Sequence, residues 1–159
     1  MQEQTYIEIM QQSLKKKIEI LDKIISLDEK QKEQLEDSTS KVEDFDKTVE
    51  EKAKLIEQLN QLDSGFEKLY ARVKEELAVH KEDHAAEIRN MQECIKEITN
   101  KSVEIQTQEA RNKDLMTQKF ASVRQKAKNV RANSKAVNQY YRNMMQLNYV
   151  DPQFMDNKK

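Results

Sequence analysis

Leu55-Ile56-Glu57-Gln58-Leu59-Asn60-Gln61-Leu62-Asp63-Ser64-Gly65-Phe66-Glu67-Lys68-Leu69-Tyr70-Ala71-Arg72-Val73-Lys74-Glu75-Glu76-Leu77 is the stretch that decides the fold. From Leu59 to Leu77 its apolar residues recur at steps of 3, 4, 3, 4 and 4. Alternating threes and fours keep side chains on one face of a 3.6-residue helix. Phe45, Leu55 and Ile56 extend the stripe toward its start. The phase survives Asp63-Ser64-Gly65, which places those three residues on the outer face. Gly65 is read as tolerated inside a continuous helix, at about 1 kcal/mol relative to Ala. A kink or short loop at Gly65 is the alternative.

Upstream, a first helix is predicted from about Gln4 to Leu35. Ile7, Leu14, Leu21 and Leu35 recur at multiples of seven, and Met10, Ile18, Ile24 and Ile25 broaden the stripe. Asp28 interrupts the series, which predicts a looser seam at that end. At 1.5 Å per residue this helix is about 48 Å long. Asp37-Ser38-Thr39-Ser40 is the first break. Ser40 followed by Glu43 has the form of a capping box opening the second helix.

Downstream, a second turn is placed within Val79–Asp83, although no Gly or Pro forces it and one unbroken helix is the alternative. A third helix of about 55 residues follows. Ile88, Met91, Ile95, Ile98 and Ile105 form its first stripe, with Ser102 filling one step. Residues 106–114 are then polar apart from Ala110. The expected fold is all-α: an elongated antiparallel helical hairpin plus a long third helix, in a three-helix coiled-coil-like bundle with an overhanging C-terminal end. Three regions are expected: a helical bundle over 1–110, a basic amphipathic helix extension over 111–145, and a flexible tail over 146–159.

Composition agrees. The 159 residues hold one Gly and one Pro, 36% are hydrophobic and 36% charged. Such a chain favours long helices and narrow seams over a wide core. No apolar run is long enough to span a membrane. Residues 1–20 are charged and amphipathic, unlike a signal peptide. The single cysteine, Cys94, precludes an intramolecular disulfide and fits a reducing cytoplasm. It is read as a packing residue.

The net charge of −1 hides a polarity along the chain: net −9 over residues 1–110 and net +8 over residues 111–142. The basic segment also carries an apolar stripe: Met116, Phe120, Val123, Ala127, Val130, Val137, Tyr141 and Met144. About seven sizeable side chains there, at roughly 1.5–3 kcal/mol each, represent on the order of 10–20 kcal/mol of burial to be used. A helix that only reads nucleic acid needs no such stripe, so a protein partner is expected and nucleic acid is not. Neither membrane insertion nor a cofactor is expected. His80 and His84 share a helix face, but Lys81 stands where the metalloprotease pattern needs Glu, and no metal site is assigned. The carboxylates alternate with lysines as on solvated helix faces, and no catalytic constellation stands out, so an enzyme is not expected.

The first helix, Leu55-Ile56-Glu57-Gln58-Leu59 with Asp63-Ser64-Gly65-Phe66-Glu67-Lys68-Leu69-Tyr70 in the second, and the basic, apolar end of the third together resemble the FlgN-type flagellar export chaperones. The tail Asn148-Tyr149-Val150-Asp151-Pro152-Gln153-Phe154-Met155-Asp156 is similar to that of the family's clostridial branch. The resemblance implies a small cytoplasmic protein. It would hold flagellar hook-associated proteins before type III export and deliver them to the export machinery, with export-gate or ATPase components as further partners. It also implies that the C-terminal segment, here Met116–Met155, takes the cargo. The expected partner-binding residues are Met116, Phe120, Val123, Val130, Val137, Tyr140, Tyr141, Met144, Tyr149, Val150, Phe154 and Met155. A homodimer would hide the stripe when no cargo is bound. The basic charge departs from the family picture and would match acidic cargo helices. A structural coiled-coil homo-oligomer and a nucleic-acid-binding helical rod are the alternatives.

Overall fold

The computed structural model describes residues 2–119 together with Lys135, Gln139 and Tyr140. Three long helices follow one another: α1 over Gln2–Glu36, α2 over Val42–Val79 and α3 over Ala85–Lys119. A four-residue 3-10 helix, Lys81–His84, joins the last two. No strand occurs among the described residues. The helices run up, down and up, and α1 is the central one, packed against both α2 and α3. The all-α three-helix bundle expected from the stripes is therefore the observed fold. The overhang, and the part of the third helix beyond Lys119, lie outside the described residues.

The apolar series of each helix become the core. Ile7, Met10, Leu21 and Ile24 of α1 are fully covered, as are Leu59 and Val73 of α2 and Met91 and Ile105 of α3. They form one long apolar cluster. A second, smaller cluster of Leu35, Phe45, Val49 and Met116 closes the end of the bundle where α1 meets α2.

Between the two clusters lies a buried polar layer. Asp28 and Gln31 come from α1, Thr48 and Lys52 from α2, and Gln108, Glu109 and Asn112 from α3, all buried. The Lys52 ammonium donates to Asp28 Oδ1 at 3.0 Å, to Gln31 Oε1 at 3.0 Å and to the Glu109 carboxylate. Gln31 Nε2 donates to Thr48 Oγ1 at 3.1 Å, and Asn112 Nδ2 to the Asp28 carbonyl at 2.9 Å. The seam at Asp28 is thus not loose, as its sequence suggests. A cation from α2 and a second acid from α3 fill the step that Asp28 opens. Buried charges persist only when paired and hydrogen-bonded, and here the pairing ties all three helices at one level.

The capping box at Ser40 does not form. The cap residue of α2 is Lys41, with no side-chain cap bond. Ser40 Oγ instead donates backward to the carbonyls of Gln34 and Asp37. The last carbonyls of α1 lack donors, and no glycine follows to satisfy them by a Schellman turn. Ser40 takes that task, while Asp37 Oδ1 accepts from Thr39 N at 2.9 Å and Thr39 Oγ1 at 2.7 Å. The first turn of α2 is served by Glu43 and Asp44, whose charges suit a helix N-terminus.

α2 runs through Gly65 without a break and with no positive φ. A Cβ built on Gly65 meets nothing within 4 Å. Gly65→Ala should therefore stabilise the chain by about 1 kcal/mol in urea unfolding, the helix-propensity difference acting without a packing penalty. Unchanged or lower stability would mean that the glycine serves a bend.

The second turn falls where expected, at His80 between Val79 and Lys81. One carboxylate holds it: Glu76 bonds His80 Nδ1 and His84 Nε2, each at 3.0 Å. Glu87 lies 3.4 Å from His84 Nδ1. The Glu76 bond raises the His84 pKa, burial opposes it, and Glu87 adds to the rise. Among the described residues no group of three such side chains could hold a metal ion.

Candidate functional site

The basic segment begins inside the bundle. α3 continues through residue 110, and its last turns are tied to the end of α1. Arg111 Nη1 donates to Glu29 Oε1 at 3.1 Å. Gln108 first, and then Arg111, hold the Glu29 carboxyl below its ordinary range. Lys119 Nζ donates to the Gln34 carbonyl and to Ser40 Oγ, each at 2.7 Å, and to the Asp37 carbonyl. Lys119 thus neutralises the C-terminus of α1, where positive charge is favoured, while Arg111 pairs with a carboxylate two turns earlier.

Two of the twelve expected partner-binding residues are among the described ones. Met116 is 1% exposed and packs with Leu35, Phe45 and Val49. Four residues after Asn112, it continues the inner face of α3, so its place in the stripe serves the bundle. Tyr140 is 7% exposed and belongs to the long apolar cluster. Its hydroxyl donates to Asp63 Oδ2 at 2.8 Å. The other Asp63 oxygen accepts from Lys17 Nζ at 2.6 Å. Lys17 is itself buried on α1. Asp63 was expected on the outer face; it sits at the face edge, half-buried, where one carboxylate can meet α1 and Tyr140 together. Phe120, Val123, Val130, Val137, Tyr141, Met144, Tyr149, Val150, Phe154 and Met155 lie outside the described residues.

Around Asp63 the stripe of α2 is only half-buried. Leu55, Ile56, Leu62, Phe66, Leu69 and Tyr70 pack against the core without being enclosed by it. The cause is the layout: α1 occupies the centre, so α2 offers a broader apolar face than one neighbour covers. At the far end Tyr6 and Arg72 join α1 to α2, with the guanidinium 5.5 Å over the ring and a 3.0 Å bond to its hydroxyl.

Cys94 is a free, buried thiol, and burial pushes its pKa up. A thiol held protonated is a poor nucleophile, which agrees with a packing role. No helix among the described residues is long and apolar enough to cross a membrane.

The polar layer is what sequence reading missed. Asp28 is the heptad position between Leu21 and Leu35, Lys52 the one between Phe45 and Leu59, and Glu109 and Asn112 continue the steps of Ile98, Ser102 and Ile105. Each alone reads as an interruption. That the three interruptions fall at one height was the signal available.

These features define an all-α bundle of three long helices whose C-terminal segment returns at least one tyrosine to its surface. The profile of the family described as FlgN protein matches residues 1–148, and the chain belongs to that family. Its members are flagellar export chaperones rather than enzymes, and they bind hook-associated proteins. Comparison with curated proteins and with solved structures gave no match.

Proposed function

We propose that this chain holds flagellar hook-associated proteins in the cytoplasm before type III export, and takes them through its C-terminal segment. The family match carries the reading, since it extends past the bundle to residue 148 and so includes most of that segment. The cargo's exposed amphipathic helix packs on Val123, Val130, Val137 and Tyr141 in helix-in-groove fashion. Tyr149, Val150, Phe154 and Met155 close over it. The remaining cations of 111–142 steer acidic cargo helices onto the stripe, so that binding weakens with salt. Export-gate or ATPase components receive the loaded chaperone, and a homodimer is a further state of the free protein. The tail's resemblance supports membership of the clostridial branch.

The test uses full-length chain and purified hook-associated subunits, because the bundle needs Met116 and Lys119. Val130→Ser is expected to weaken binding at least roughly tenfold, the loss of one buried aliphatic contact at about 1.5–3 kcal/mol. Neutralising Lys126, Lys128 and Arg131 together should cost less at physiological salt. A larger loss from the charge variant, with nucleic acid recovered in place of subunits, would overturn the reading in favour of a nucleic-acid-binding rod. Recovery of nothing but further copies of the chain would favour a structural oligomer.

A further inference from the structure

We propose that Asp63, held by Lys17, is the seat on which the chain's own segment around Tyr140 docks, and that the half-buried stripe of α2 is the surface it covers. Cargo and bundle then compete for one segment; that second step rests on the function proposed above.

The occupant follows from where the chain goes. α3 brings Lys119 to the end of α1, against Gln34 and Ser40. Asp63 lies 21 residues into α2 from its start at Val42, near that same end. At 1.5 Å per residue the height is about 32 Å. A helix continuing straight past Lys119 would carry Tyr140 about as far beyond the bundle. The bond from Tyr140 to Asp63 requires the chain to come back instead, and the number of residues from Lys119 to Tyr140 matches that from Val42 to Asp63. Twenty-one residues suffice for a reversal and the return, since a partly extended chain spans up to about 3.3 Å per residue.

Lys135 and Gln139 are helical and exposed, while the adjacent Tyr140 is helical and buried. One face of this segment thus meets the bundle and another meets water. Charge agrees: residues 120–142 carry net +6, and the bundle they return to, residues 1–119, carries net −7.

The seat is built to release. Asp63 uses one oxygen for Lys17 and the other for the tyrosine hydroxyl. When Tyr140 leaves, the ion pair with the buried lysine stays intact and water can solvate the freed oxygen. No buried charge is orphaned, so departure avoids the large cost of breaking a buried pair.

Paired spin labels test this in the full chain. Ser64→Cys and Gln139→Cys place labels at two exposed positions, with the buried Cys94 replaced by Ser. A narrow distance distribution is expected, unchanged by tenfold excess of unlabelled chain. Tyr140→Phe should lower the docking equilibrium about tenfold, as one hydrogen bond to a charged acceptor would, and Tyr140→Ala should abolish the narrow component. A broad distribution in the parent chain, or a narrow one indifferent to Tyr140→Ala, overturns the seat. A narrow one lost on dilution with unlabelled chain assigns the seat to a second copy and overturns the proposal for the chain's own segment. Purified hook-associated subunit, added at saturation, should then remove the narrow component. If the subunit binds while the component persists, competition is wrong although the seat stands. If no subunit binds, it is the proposed function that fails.

Discussion

Lys52→Met is expected to destabilise the bundle by about 3–5 kcal/mol, measured as a lowered urea midpoint. The buried ammonium serves two carboxylates and an amide. Burial works against the charge on Lys52, but Glu109 and Asp28 outweigh it and hold its pKa above the ordinary range. Methionine matches its length and removes its charge. Asp28 and Glu109 are then left buried and facing each other, and Gln31 Oε1 loses its donor. The cost is that of the orphaned acids, not the worth of the ion pairs. The distinction is measurable. Lys52→Met combined with Asp28→Leu and Glu109→Leu should recover most of the loss, since well-packed apolar groups commonly replace buried ion clusters at little cost. A single variant that unfolds at the parent's midpoint would mean that water reaches the layer and the charges are solvated.

The layer also shows why the fold was legible and its interior was not. Ile7, Leu14 and Leu21, the run from Leu59 to Leu77, and Ile88 to Ile105 state three helical faces outright. A face that must be buried fixes its helix whatever the partner. Turn chemistry was less decisive. Ser40 and Glu43 satisfy the pattern of a capping box, yet the α1 carbonyls compete for the same hydroxyl and win, because no glycine ends α1. That competition joins residues of two helices, and no local pattern records it. Lys52 and Glu109 are further still from local reading. Nothing near Lys52 in the chain says that Asp28 is its partner, 24 residues away, or Glu109, 57 away. Residues 111–119 read as the start of an extension because their charge changes sign there. Charge follows the solvent face, however, and the inner face carries on through Asn112 and Met116. The apolar stripe from Met116 to Met144 was legible in the sequence; the pairing of Tyr140 with Asp63, 77 residues apart, was not.

Raising the pH from 5.5 to 8.5 is expected to lower the stability of the chain by on the order of 1–3 kcal/mol, and Asp28→Asn should remove most of that dependence. Burial, opposed by Lys52 and reinforced by Glu109, pushes the Asp28 carboxyl up to about 8. The geometry gives the same direction. Asp28 is 0% exposed, and its Oδ2 is buried without a hydrogen-bond partner. An ionised Oδ2 there has lost its water and gained no donor. One ammonium facing two carboxylates is also neutral only if one acid keeps its proton. A group with a raised folded pKa binds its proton more tightly in the native state. Its contribution is fully present below the unfolded value near 4 and is lost as pH rises through about 8. Lys52, also raised, loses its contribution only above 10.5, outside this window. His84, raised by Glu76, acts in the same direction above its ordinary value of 6.5, so a residual slope should survive in Asp28→Asn. The asparagine keeps an oxygen for Lys52 and cannot ionise. It should match the parent near pH 5.5 and exceed it at pH 8.5. Parallel stability curves for the two proteins across that range would show that Asp28 is ionised throughout, with Lys52 strong enough to hold two negative charges at the centre of the bundle.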